Sequence, residues 1–238
     1  MCFEDEAGFT RRPPRGRTWG RRGTTPVVKV SGSRSGRVSV AGLIAVRPGS
    51  RTRLSHRIRL HTGRKGERRS LSERDYIGLI DGIHHLVKAP IVLVWDRLNT
   101  HVSRAMHELV AARDWLTVYI LPAYAPDLNP VEWLWAHVKR SLANLSSVAV
   151  DRLEALVRNR LKRLQYRPDI LNGFLAGTGL SLDLPPPSAP GAPRSVLSAS
   201  VLSDGAVYGH SGLSEPVWFT ASARHPELWG KRWQPICR

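Results

Sequence analysis

Three acids stand where a chain could use them together. Asp96 closes the run PIVLVWD, in which Ile91 to Trp95 are unbroken apolar residues. That is the pattern of a buried central strand delivering one acidic side chain at its C-terminal edge. Glu132 follows the turn residues PDLNP, in the first turn of a helix that Pro130 opens. Asp5 lies far upstream in FEDEAGF, after Met1 to Glu4, which read as the end of another strand. In open α/β sheets chemistry gathers at the C-terminal edge of the strands. Carboxylates converging there from separate elements offer hard oxygen ligands to Mg²⁺ or Mn²⁺, and a two-ion site of this kind steadies both the attacking and the leaving oxygen of a phosphoryl transfer.

Each acid also has a plainer use. Asp96 could cap a helix beginning near Thr100, although an acid directly after five buried apolar residues is costly unless paired or ligated. Asn129 as N-cap, Pro130 as first helical residue and Glu132 three after the cap make a capping box. Asp5 and Glu6 on one strand face opposite ways, so only one of them points into a shared site. His101 could orient a carboxylate, contact a phosphate or serve only as a structural histidine. Asp127 is a turn former.

The elements that must position these residues follow from periodicity. Pro26 to Val30, Arg37 to Val46 and Arg53 to His61 are β-branched and largely alternating, and read with the start of the chain as an antiparallel group. Ser72 is a plausible N-cap for a helix over Glu73 to Lys88, and Thr100 to Trp115 is a second amphipathic helix. Leu116 to Leu121 is a strand, so the strand, helix, strand passage implies a parallel pair joined by a right-handed crossover. A further helix covers Val148 to Gln165, with Arg152, Arg158, Lys162 and Arg163 on its polar side. The expected fold is α/β, three antiparallel strands followed by two parallel ones, flanked by helices.

The 238 residues carry a formal net charge of +17, an excess that favours a polyanionic partner, most commonly nucleic acid. Thr10 to Pro26 form a basic loop rich in Arg, Gly and Pro, either solvated or a phosphate-contacting arm with Trp19 as a packing or stacking ring. Cys2 and Cys237 form no metal-spaced pair, which argues against zinc and a disulfide framework. No apolar run is long enough for a membrane span, and a cytoplasmic protein is the default expectation. Past Leu180 the composition turns to Pro, Ser and Gly, with five Lys or Arg and four Asp or Glu, so the positive field belongs to residues 1–180. Two units are therefore expected: a folded domain over 1–180 and a disordered tail over 181–238.

PAYAPDLNPVEWLWAHVKR, together with EDEAGF, RTWGRRGTTP and VWDRLNTH in that order, resembles the DDE transposases of the mariner superfamily, in particular their bacterial insertion-sequence branch of the six-thirty type. The resemblance covers about residues 1 to 175. It implies an RNase H-like catalytic core, a metal-binding triad of Asp5, Asp96 and Glu132, and two Mg²⁺ or Mn²⁺ ions. Asp5 and Asp96 would be ligands between the ions, with Glu132 a ligand to one. The implied activity is cleavage of DNA at terminal inverted repeats by activated water, then strand transfer of the 3′-hydroxyl into a TA target, in the nucleoid. A homodimer and a separate N-terminal DNA-binding polypeptide are partners it allows, and no membrane is involved.

The chain departs from that pattern in places. Arg97 stands where the family often has Asn. The first strand reads as clipped, no helix-turn-helix precedes Asp5, and the tail matches nothing in the family. A catalytic half of a two-frame element, or an inactive DNA-binding remnant in which a clipped strand holds Asp5 poorly, is therefore the alternative. Another RNase H-like nuclease is a third reading, against which PDLNPVE argues.

Overall fold

The computed structural model describes residues 1–181 and 220–221, apart from 13, 15, 18, 24–25, 28–35, 69 and 146–147. Five strands form one mixed sheet: β1 (Cys2–Thr10), β2 (Arg37–Ala45), β3 (Arg53–His61), β4 (Ile91–Trp95) and β5 (Leu116–Ile120). Their spatial order is β3-β2-β1-β4-β5. β1, β2 and β3 are an antiparallel meander, and β4 runs parallel to both β1 and β5. This is the RNase H-like arrangement expected from the sequence. On one face lie α1 (Glu73–Val87) and α2 (Arg104–Ala111), and on the other α3 (Pro130–Ser141), α4 (Val150–Gln165) and α5 (Pro168–Gly177).

Each layer buries the face that its periodicity marks as apolar. Tyr76, Leu79, Ile80 and Ile83 of α1 meet Met106, Leu109 and Val110 of α2 over one side of the sheet. On the other side, Val131, Leu134, Trp135 and Val138 of α3 pack with Phe3, Ala7 and Phe9 of β1 and with Leu153, Val157 and Leu161 of α4. Ser72 caps α1 in a reciprocal capping box with Asp75.

The first strand corrects the sequence reading. β1 does not end at Glu4: it runs nine residues, all paired with β2. Asp5 is mid-strand, opposite Gly42. The β1–β2 ladder therefore continues on both sides of Asp5. FEDE looks like a strand end because three acids in a row are rare in a sheet interior, yet β1 has β2 and β4 on its two edges and helices on both faces.

Smaller differences concern boundaries. α2 begins at Arg104, after a turn over residues 98 to 103, rather than near Thr100. α5, short and interrupted by glycine, had no counterpart in the sequence reading. The proposed strand over Pro26 to Val30 lies outside the described residues from 28 onward, as does the tail except Ser181 and Thr220–Ala221; Ser181 pairs with Thr220 and Leu180 with Ala221. Among the described residues no helix is long and apolar enough to cross a membrane.

Candidate active site

β1 and β4 pair only at Cys2 with Leu93 and Phe3 with Val94, and then part. Asp5 is two residues past Phe3 and Asp96 two past Val94, so the parallel register sets both acids at the same level where the sheet opens. The opening is a cavity of about 440 Å³ whose lining includes Asp5, Asp96, Arg97, Tyr124, Asn129 and Glu132. All three acids singled out from the sequence thus reach one cavity.

The third acid arrives on α3. Asn129 caps that helix, its side chain accepting from Val131 N at 3.1 Å, while its Nδ2 donates to the Glu4 carbonyl at 2.9 Å. One buried amide therefore both starts α3 and ties it to β1 beside Asp5. The capping box expected around Glu132 does not form: the Asn129 N–H donates to the Pro126 carbonyl, and the exposed Glu132 is left to the cavity. Close approach of α3 to the sheet depends on Gly42, because a Cβ there would stand 2.7 Å from Trp135 Cη2. Asp127 sits in a single 3-10 turn, Pro126–Leu128, as a turn residue would.

The acids differ in environment. Asp5 is 9% exposed and its Oδ2 makes no hydrogen bond. Burial, then the charges of Glu132 and Asp96, push its carboxyl up to about 7. The Glu6 backbone N–H and the Trp135 indole pull the other way, although the indole nitrogen completes no hydrogen bond. Asp96 is half exposed and opposed by partial desolvation, yet it is held below the ordinary carboxylate value by His101 and the Leu98 N–H. Its Oδ1 accepts from Leu98 N at 3.0 Å and lies 3.0 Å from His101 Nδ1. Asp96 does not cap α2, since Ser103 does.

Of the uses weighed for His101, the structure shows contact with a carboxylate, Asp96, and its burial keeps it from a phosphate in the cavity. Glu6 turns to the opposite face of β1, where its Oε2 accepts from the Tyr76 hydroxyl at 2.7 Å. Beside it the sequence reading missed Glu4, fully buried and raised well above the usual carboxylate value by burial and then by Asp5 and Asp96. The alternation Glu4, Glu6 in EDE was the available signal. Trp19 is fully exposed and so is no packing ring.

Hard divalent cations fit these donors. The cavity offers carboxylate oxygens from three elements, one of them buried without a hydrogen bond, and the repulsion that raises Asp5 is what a cation would relieve. As the side chains stand, no three His, Cys, Asp or Glu among the described residues are close enough together to hold one ion.

Known proteins show similarity to this chain in sequence and in structure. A family model described as DDE superfamily endonuclease matches residues 1–156. Among solved structures, the chain is similar to a Mos1 transposase paired-end complex with left transposon end, at 15% identity and TM-score 0.49 over 75% of this chain and 55% of that one. It is also similar to a mariner Mos1 paired-end complex with Mg, at 16% identity and TM-score 0.46 over 75% and 55%. The catalytic domain of Mos1 mariner transposase matches at 14% identity and TM-score 0.39 over 74% and 81%. The chain thus spans about half the length of the first of these. No curated protein matches it.

Proposed function

Because the chain belongs to the DDE superfamily endonuclease family, we propose that it is the catalytic core of an insertion-sequence transposase, cutting DNA at element ends and joining the freed 3′-hydroxyl to a target. The observation that carries this reading is the convergence of Asp5, Asp96 and Glu132 on one open cavity from two parallel strands and a helix start. Bound Mg²⁺ or Mn²⁺ would supply an activated water or 3′-hydroxyl and neutralise charge on the phosphate.

The chain's own residues supply position. Asp5 and Asp96 are held level by the strand register, and Asn129 and Gly42 set α3 so that Glu132 faces them. Arg97 on the cavity wall, where the family often has Asn, offers a guanidinium to a phosphate. The net charge of +17 fits DNA as substrate. Terminal repeats, a TA target, a homodimer and an N-terminal DNA-binding polypeptide belong to the same proposal.

A second reading, a DNA-binding remnant without turnover, is favoured by the lack of a ready three-ligand cluster among the described residues. Nicking of supercoiled DNA with Mn²⁺ or Mg²⁺, beside Asp96→Asn and a chelator control, separates the two. The expected result is metal-dependent nicking that falls more than about 100-fold in the variant, beyond the cost of an outer-shell change, with DNA binding retained. Binding without nicking by either protein would favour the remnant.

A further inference from the structure

Beneath Asp96 lie two titratable residues that the proposed chemistry leaves unused. The side chains of Glu4 and His101 are 0% and 1% exposed. The imidazole is clamped by aromatic rings: it stacks parallel on Trp95 at 4.1 Å between centroids and meets Tyr76 edge-on at 4.8 Å. Its Nδ1 stands 3.0 Å from Asp96 Oδ1. Its Nε2 stands 3.2 Å from Glu4 Oε2, off the line of a hydrogen bond. Neither Glu4 oxygen has a hydrogen-bond partner, and a carboxyl buried in that way is costly unless a neighbour uses it.

We propose that Glu4 and His101 are positioning residues for Asp96, the buried acid orienting the imidazole so that its Nδ1–H pins Asp96 Oδ1 and leaves Oδ2 to the cavity. The inference rests on the reading of Asp96 as a metal ligand. A nitrogen without hydrogen at Nδ1 would set its lone pair against the Asp96 carboxylate, so Nδ1 is the donor there, and the acid 3.2 Å from Nε2 flanks the other end of the ring. Leu98 N, the second donor to Oδ1, holds the same oxygen from the backbone side. With both donors on Oδ1, the carboxylate keeps one orientation before any cation arrives. Partners of this outer kind orient a ligand and typically change metal affinity by about 10- to 100-fold.

His101→Phe and His101→Gln separate positioning from packing. Phenylalanine keeps the ring contacts with Trp95 and Tyr76 and loses the donor; glutamine keeps a donor and loses the ring. The expected result is that His101→Phe melts close to wild type but binds Mn²⁺, counted by electron paramagnetic resonance, about 10- to 100-fold more weakly. Its kcat for nicking falls with KM for DNA unchanged, and His101→Gln recovers most of the affinity. Should His101→Phe fail to fold, Glu4→Leu carries the same expectation, with Glu4→Gln as its conservative rescue.

Crystals of the metal-free proteins give a readout independent of the ion: Asp96 in one orientation in the wild type and in several in His101→Phe. An unchanged Asp96 in that variant, or an Mn²⁺ affinity that follows melting temperature alone, would overturn the proposal. A wild type that binds no Mn²⁺ would instead sink the metal-ligand reading, and the crystal comparison would still decide whether His101 positions Asp96.

Discussion

Asp5 sits 9% exposed between the strands with two further carboxylates across the cavity, and folding must hold it there. Its carboxyl titrates near 3.8 in the unfolded chain and is pushed up to about 7 in the folded one, by burial and then by Glu132 and Asp96. Between those values the folded chain keeps a proton that the unfolded chain has released, so this residue lowers stability as pH rises from about 4 to about 7. Fully buried Glu4, also raised, acts in the same direction. Asp5→Asn isolates the Asp5 share. In chelator below about pH 4 the variant should melt near wild type, and at pH 8 it should melt more than about 4 °C higher, an effect exceeding roughly 1 kcal/mol. Melting curves whose pH dependence is the same in both proteins would refute the assignment. Adding Mg²⁺ at pH 8 should then raise the melting temperature of the wild type more than that of Asp5→Asn, since a ligand stabilises the state that binds it.

At the scale of elements, the site depends on how α3 meets β1 and β2. Gly42 admits the Trp135 ring, and a methyl group in its place would stand 2.7 Å and 2.8 Å from two of the ring carbons. Gly42→Ala should therefore cost about 1–3 kcal/mol in urea unfolding, as overpacking does. Because Glu132 rides on the same helix, nicking should fall further than DNA binding does. Unaltered stability and nicking would mean that α3 is free to shift without consequence.

Asn129 performs two tasks that substitutions can separate. Asn129→Ala loses the cap, worth about 1 kcal/mol, and leaves the Glu4 carbonyl without its buried donor, worth about 1–3 kcal/mol more. Asn129→Ser should restore only the cap portion, and equal stability of the alanine and serine variants would show that the cap contributes little. The helix start was legible in PDLNP, but the reach of the Asn129 amide to Glu4 was not, because the two lie 125 residues apart. The same holds for Glu132, whose local sequence reads equally well as a capping box.

For the whole molecule the governing quantity is charge. A net +17 should make DNA affinity fall steeply and linearly in log affinity against log salt as counterions are released. Fluorescence anisotropy with a labelled duplex between about 50 and 200 mM salt, a range over which a protein making several phosphate contacts loses roughly 1,000-fold or more in affinity, measures the slope. A flat line would remove the link from charge to a nucleic-acid partner. Exposed Arg152, Lys162 and Arg163 on α4 contribute to that field, whereas Arg158 is already engaged with Glu154.

From the sequence alone came the order of elements up to α4, the three acids as candidates and the basic field, because apolar periodicity, breaker residues and formal charge are local properties. β4 and Asp96 were legible for that reason, since five apolar residues followed by an acid describe a buried strand edge whatever surrounds them. The length of β1 was not, because only the flanking strands and two helical layers make a run of acids tolerable in a sheet interior. Tertiary packing also decided which way each acid of EDE turns. Alternation requires neighbours to oppose one another, but only the placement of α3 over Gly42 and of His101 under Asp96 sends Asp5 to the cavity and Glu4 into the core beneath it.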